Sequence, residues 1–179
     1  SWAINLMAPA LNITSSPGAF VNVKTANFTF NGQANGSAIT QFQCSIDDGA
    51  FAACTSPVAY NNLAEGSHKF NLRGADINGV FSSPIMTQWI VDTVVPSTPQ
   101  VVTTTTALTK LTAASFSFSS MDVGGSGIAS FQCSIDNGAF AACTSPRDLT
   151  NLANGNHSFR VRSLDNAANP SALATINWL

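Results

Sequence analysis

Apolar and polar residues alternate with a period of two along much of this chain. Phe28 and Phe30 share one face of a short run. Phe42, Cys44 and Ile46 line one face of the next, with Gln41, Gln43 and Ser45 opposite. Over 68–73, His68, Phe70 and Leu72 alternate with Lys69, Asn71 and Arg73; His157, Phe159 and Val161 repeat this against Ser158, Arg160 and Arg162. Ile85, Thr87, Trp89 and Val91 form a last stripe. Successive side chains of a strand point to opposite faces, so each run predicts a strand with one buried face. No helical period is present. Asn31-Gly32, Asn35-Gly36, Asp48-Gly49, Glu65-Gly66 and Asn78-Gly79 separate the runs as turns. Short strands at this spacing predict an all-β fold of about seven strands per module, in two antiparallel sheets packed face to face.

The organisation is a tandem repeat. Residues 42–56 read FQCSIDDGAFAACTS and residues 131–145 read FQCSIDNGAFAACTS, fourteen of fifteen positions matching at an offset of 89. Leu63, Gly66, His68, Phe70, Arg73, Asp76 and Trp89 recur as Leu152, Gly155, His157, Phe159, Arg162, Asp165 and Trp178. Phe28-Thr-Phe30 aligns with Phe116-Ser-Phe118 at an offset of 88, so the second module carries one extra residue between. The stretch from Trp2 to Pro9 lines up with that from Trp89 to Pro96. The expected division is therefore 1–8 as the end of a preceding repeat with its linker, 9–92 as module 1 and 93–179 as module 2. The chain is expected to be an excerpt of a longer array, its neighbouring repeats being its first partners. A period this long suits domains with their own cores rather than a solenoid.

Charge narrows the function classes. Only 9% of residues are charged and the net charge is −2, which leaves no basic surface for nucleic acid. No apolar run reaches the 18–20 or so residues that span a bilayer, so direct membrane insertion is not expected. At 45% hydrophobic, with 12 Phe and 3 Trp, the chain has apolar side chains enough for small cores.

Four cysteines occur, two per module, each pair flanking a predicted Asp-Gly or Asn-Gly hairpin turn: Cys44 with Cys54, and Cys133 with Cys143. A disulfide within each module is the expectation, with a zinc site or a free thiol pair as its rivals. Zinc usually needs four closely set Cys or His ligands. Each module offers two Cys, and its single His lies on another strand. A bridge this short stabilises by about 2.5–3 kcal/mol in the chain-entropy description and implies an oxidising compartment: periplasm, cell surface or medium.

The run F-Q-C-S-I-D-x-G-A-F-A-A-C-T-S-P resembles the bacterial immunoglobulin-like repeats of large surface and secreted adhesin-type proteins. Leu63-Ala-Glu-Gly66-Ser-His68-Lys-Phe70, Arg73-x-x-Asp76, Trp89-Ile-Val-Asp92-Thr93 and Pro96 fit the same pattern. So do Gly125-Ser126-Gly127-Ile128 and the loop that follows Arg162. The Asp-x-x-Gly-Asn loop of that family is altered in both modules: Val80 ends it in the first, and Ala168 replaces its Gly in the second. The resemblance implies two tandem immunoglobulin-like β-sandwiches serving as stalk or spacer of an extracellular, cell-surface fibre or adhesin. The alternative is an adhesive module that itself binds a glycan or protein on another cell. Related arrays bind calcium at module junctions, which makes Asp92, Asp76 and Asp165 the candidate ligands, with Asp122 a further loop aspartate. Otherwise no cofactor is expected.

The remaining polar residues have ordinary readings. His68 and His157, at equivalent strand starts, are expected to form structural hydrogen bonds. Asp76, Asp92, Asp122 and Asp165 are otherwise expected to cap turns or to pair with Arg73 and Arg162 at the surface. Trp2, Trp89, Trp178 and Tyr60 are expected in cores. Sequons occur at Asn12, Asn27, Asn35 and Asn156. Divergence between modules falls at 58–62 against 147–151 and at 79–81 against 168–170, both read as loops. No nucleophile motif, phosphate loop or paired carboxylates argue for an enzyme.

Overall fold

The structure is a computed structural model, and residues 8–34, 37–103 and 111–179 are described. Among them no helix is long and apolar enough to cross a membrane. The chain divides between Val91 and Asp92 into two compact units.

The first unit runs β1 (Ala10–Ser15), β2 (Phe20–Val21), β3 (Ala26–Ala34), β4 (Ser37–Ala38), β5 (Gln41–Ile46), β6 (Ala52–Cys54), β7 (Val58–Tyr60), β8 (Gly66–Ala75) and β9 (Ile85–Val91). One sheet joins β1, β3 and β4, with β7 also paired to β3; the other has the order β2-β9-β8-β5-β6. The second unit runs β10 (Gln100–Thr103), β11 (Ala114–Ser119), β12 (Ile128–Ile135), β13 (Ala141–Cys143), β14 (Arg147–Leu149), β15 (His157–Asp165) and β16 (Ala174–Trp178). Its sheets are β10-β11-β14 and β13-β12-β15-β16. Among the described residues, the seven strands expected are seven in the second unit. In the first, two-residue strands β2 and β4 bring the count among described residues to nine.

Alternation decides what is buried. Phe28, Phe70 and Leu72 are fully buried, as are Phe116, Phe159 and Val161 in the second unit. Phe28 stacks on Phe70 at 4.0 Å between centroids with Trp89 at 5.3 Å. Phe116 stacks on Phe159 at 4.3 Å with Trp178 at 5.2 Å. Each such ring contributes roughly 1.5–3 kcal/mol by leaving water. Tyr60 packs against this cluster and Leu149 lies in the second one. Trp2 lies outside the described residues.

The cysteine hairpin turns one residue earlier than its Asp-Gly pair predicts. Asp47 and Asp48 hold φ of 50° and 60°, and Asp136 and Asn137 hold 48° and 60°. Gly49 N donates to Ile46 O at 2.9 Å, so the positive-φ pair forms the centre of the turn, the arrangement that matches strand twist. Gly49 and Gly138 serve a different need: a Cβ there would lie 3.1 and 3.0 Å from the carbonyls of Ile46 and Ile135. In register, Phe42 faces Cys54 and Cys44 faces Ala52, so the bonded cysteines are diagonal neighbours. Cys44–Cys54 and Cys133–Cys143 are disulfides, each with Cα atoms 5.8 Å apart. Ser45, on the face read as polar, is buried because its hydroxyl donates to Gly49 O at 2.6 Å; Ser134 repeats this with Gly138 O.

Candidate functional site

Three acidic residues distant in sequence meet within the second unit. Asp92 is its first residue, Asp122 lies between β11 and β12, and Asp165 closes β15. In an antiparallel sandwich the end of β11, the start of β12 and the end of β15 lie at the same end. One carboxylate oxygen from each aspartate lies within 4.8 Å of one from each of the others.

The surrounding loops are folded around these carboxylates. Asp92 accepts from Val94 N at 3.1 Å and from Ser126 N at 2.7 Å. Asp122 Oδ2 accepts from Gly127 N at 2.7 Å. Asp165 accepts from Asn169 N and from Asn169 Nδ2, both at 2.8 Å. The same Nδ2 reaches Asp92 O at 2.8 Å. Asn166 Nδ2 donates to Ser126 O at 2.7 Å and Ala167 N to Ser126 Oγ at 3.1 Å, so the third loop grips the second. Gly125 permits the closure: a Cβ on it would fall 2.4 Å from Asp122 Oδ1.

Two features set this cluster apart from ordinary turn caps. Asp92 and Asp165 are 1% and 2% exposed, and among the described residues no Lys, Arg or His forms an ion pair with any of the three aspartates. Asp122 Oδ1 is sealed from solvent and accepts no hydrogen bond. Carboxylates this close repel by about 3–4 kcal/mol per pair at an effective dielectric near 20, which rivals the roughly 1.5–3 kcal/mol that a charge-assisted hydrogen bond returns.

Asp76, grouped with Asp92 and Asp165 on sequence, lies in the first unit. There it caps its own turn, its Oδ1 accepting from Asn78 N and Val80 N at 2.8 Å each. At the 88-residue offset the counterpart of Asp122 is Ala34, buried at 3%. The counterpart of Asp92 is Asn5, outside the described residues. Asp122 was visible in the sequence only as a loop aspartate. Its signal was the combination of Ala34 at the matching position and the one extra residue between Phe118 and Phe131.

The arginines do not pair with these aspartates. Arg73 donates through Nε and a terminal nitrogen to Gln43 Oε1, at 2.9 and 2.7 Å, and its guanidinium lies over Phe51 and Phe81. Arg162 donates through Nε alone to Gln132 Oε1 at 2.9 Å, and its guanidinium lies over Phe140.

At the hairpin end each unit carries a histidine clamp. His68 Nδ1 lies 2.7 Å from Asp47 Oδ2 and Nε2 lies 2.9 Å from Ala64 O, while Lys69 N donates to Asp47 Oδ1. His157 repeats this with Asp136 at 2.8 Å and Ala153 O at 2.9 Å. With both ring nitrogens facing acceptors, the geometry favours the imidazolium. For His68, burial opposes the charge, but the Ala64 carbonyl and Asp47 outweigh it and raise the pKa. For His157 the Ala153 carbonyl and then Asp136 raise it, against a small opposing effect of burial. Burial pushes Asp136 up, and the Ser158 amide and His157 more than reverse this, leaving its pKa lowered. A shallow cleft of about 540 Å³ adjoins His68 and Trp89. Trp89 is only 2% exposed there, so it offers no ring face to a ligand.

The strand order and these sites can be set beside known proteins. No protein-family model matches the sequence, and no curated protein does. The fibronectin(III)-like modules of Clostridium thermocellum CbhA superpose with a TM-score of 0.57 at 14% identity, over 95% of this chain and 93% of theirs. The fold is that of fibronectin III-like modules in tandem. The FN1–FN3 domains of chicken CNTN1 give 0.48 at 13% identity, over 95% of this chain and 64% of theirs. The D00–D0 domain of intimin gives 0.42 at 12%, over 96% and 99%. Each unit is the two-sheet β-sandwich expected of it, and in the second unit the fourth strand, β13, pairs with β12.

Proposed function

We propose that this chain is a non-catalytic spacer segment of an extracellular repeat protein. The observation that carries this reading is that what the two units share is scaffolding, duplicated to the level of single hydrogen bonds. The diagonal disulfide, the His–Asp–carbonyl clamp and the Arg–Gln–Phe stack each recur at matching positions. The His68 and His157 imidazoles and the Arg73 and Arg162 guanidinium groups are held by partners within their own unit. Two disulfides in small sandwiches support an oxidising, extracellular setting. The adhesive alternative rests on sequence divergence in loops and on the adhesive use of similar arrays, and part of that divergence lies in strands: Val58–Tyr60 is β7 and Arg147–Leu149 is β14.

The test is binding of the oxidised 179-residue chain to a glycan panel and to intact cells, with and without calcium. Absence of saturable binding is the expected outcome. Saturable binding, lost when the segments 79–81 and 168–170 are exchanged, makes the chain an adhesive module and overturns the spacer reading.

A further inference from the structure

We propose that the second unit binds one tetrahedral oxyanion, a sulfate or phosphate group, between Arg160 and Arg162 on the outer face of β15, and that the first unit binds none. Phe159 and Val161 of that strand are fully buried, so Ser158, Arg160 and Arg162 stand together on the opposite face. Residues two apart on one strand face are about 6.5–7 Å from each other. Both guanidinium groups lie over a single ring: Arg160 Cζ is 5.3 Å and Arg162 Cζ 4.8 Å from the centroid of Phe140. Among the described residues neither arginine forms an ion pair.

This pair is short of acceptors. Arg162 donates through Nε to Gln132, and Arg160 through one terminal nitrogen to Ser134 Oγ at 2.9 Å, which leaves the rest of each fork unpaired. Arg160 Nε and Ser158 Oγ are sealed from solvent without a hydrogen-bond partner. A donor that loses water without gaining an acceptor is destabilising, and two like charges beside one ring add to the conflict. An oxyanion seated between the two guanidinium groups draws them outward and answers both. Asp136 is the carboxylate bonded next to Ser158, and its two oxygens are taken by the Ser158 amide and His157, at 2.8 Å each.

The arrangement chooses the ligand. Arginine forks match paired oxygens on carboxylates and phosphates. A carboxylate has two oxygens, which one fork occupies. A tetrahedral group has oxygens for a second fork, and a phosphate monoester carries about −1.5 to −2 charge at pH 7. Two cations on an open sheet face hold one such group and do not make a track along a polyanion. Two or three charge-assisted hydrogen bonds on an open surface correspond to a dissociation constant on the order of 1 mM. The site goes beyond the spacer reading and does not depend on it.

The first unit is an internal control. Asn71 stands where Arg160 does, and Lys69, in place of Ser158, pairs with Asp48, which is Asn137 in the second unit. Arg73 holds Gln43 through two nitrogens and lies over both Phe51 and Phe81, at 4.3 and 4.5 Å. Phe81 is Pro170 in the second unit, so Arg162 lacks this second ring.

The experiment uses the oxidised 179-residue chain, isotopically labelled for NMR. Sodium sulfate, sodium phosphate and sodium acetate are titrated separately near neutral pH, with sodium chloride holding the ionic strength constant. Saturable shifts are expected with sulfate and phosphate at the amides of 158–162 and at the Nε–H of Arg160 and Arg162. The tighter of the two names the group, and acetate is expected to bind several-fold more weakly than it. Arg160→Asn introduces the residue that the first unit carries at this position, so the scaffold accepts it. It is expected to weaken binding by at least about tenfold; Arg73→Gln is expected to leave it unchanged. The positions of the shifts in the unmutated chain test the site even if a variant misfolds. No saturable shift, shifts that follow ionic strength alone, acetate binding as tightly as the tetrahedral anions, unchanged affinity in folded Arg160→Asn, or equal shifts around Arg73 overturns the proposal.

Discussion

Ala168 holds a φ of 68°, and its counterpart Gly79 holds 79°. Both sit one residue from the end of the same turn, whose first residue, Asp165 or Asp76, is capped from within. An L-residue with a Cβ is strained in the left-handed region, and glycine is not. Ala168→Gly is therefore expected to stabilise the second unit by about 0.5–1 kcal/mol, the strain relief being partly offset by the freer unfolded chain. Gly79→Ala is expected to destabilise the first unit by about 1 kcal/mol, even though no atom lies within 4 Å of the new methyl. Urea midpoints of the two variants check both signs. At this scale the sequence was legible where side chains repeat. The core rings and both histidines lie where alternation put them. Asp122 was not legible as part of a cluster, because assembling it takes three loops whose closure depends on Gly125 and on the Ser126 and Asn169 hydrogen bonds.

The cysteine hairpin is the element on which reading and structure agree in kind and differ in detail. Its existence followed from two β runs around an Asp-Gly signal. Its turn lies one residue earlier, because the Asp47 side chain is held by the Lys69 amide and His68, which fixes Asp47 and Asp48 as the positive-φ pair. The segments 58–60 and 147–149 were read as loops since three residues are too few to show a period. Pairing to β3 and to β11 makes them strands. The disulfide ties β6 to β5 at the sheet edge. Replacing Cys44 and Cys54 together by Ser is expected to destabilise the first unit by about 2.5–3 kcal/mol. Chemical denaturation of the variant, compared with the unreduced parent, measures it.

Across the whole molecule the histidine clamp occurs twice, so each unit carries a pH-dependent contribution of its own. The folded pKa values of His68 and His157 lie above the ordinary 6.5. Their contribution to stability is complete below about 6.5 and is lost as pH rises through the raised values. Asp136 lies below its ordinary 3.8, so its contribution is complete above that value and is lost as pH falls through the lowered one. Stability carried by the clamps is expected to peak between about pH 4 and 6.5 and to decline as pH rises above that window. Urea midpoints across this range test it, and the double variant His68→Gln/His157→Gln should flatten the alkaline decline. Asp47, Asp48 and Lys69 face the first clamp and must be kept in that comparison.

The disulfides also bear on what happens when the chain is pulled. Cys44 and Cys54 are ten residues apart in sequence, and their Cα atoms are held at 5.8 Å. Ten fully extended residues span about 33–36 Å. Each oxidised unit therefore withholds roughly 30 Å of contour length from a stretching force, even after its sheets have come apart. Single-molecule extension under reducing conditions should recover that length in each unit, so the redox state of the surroundings sets how far the chain can be drawn out.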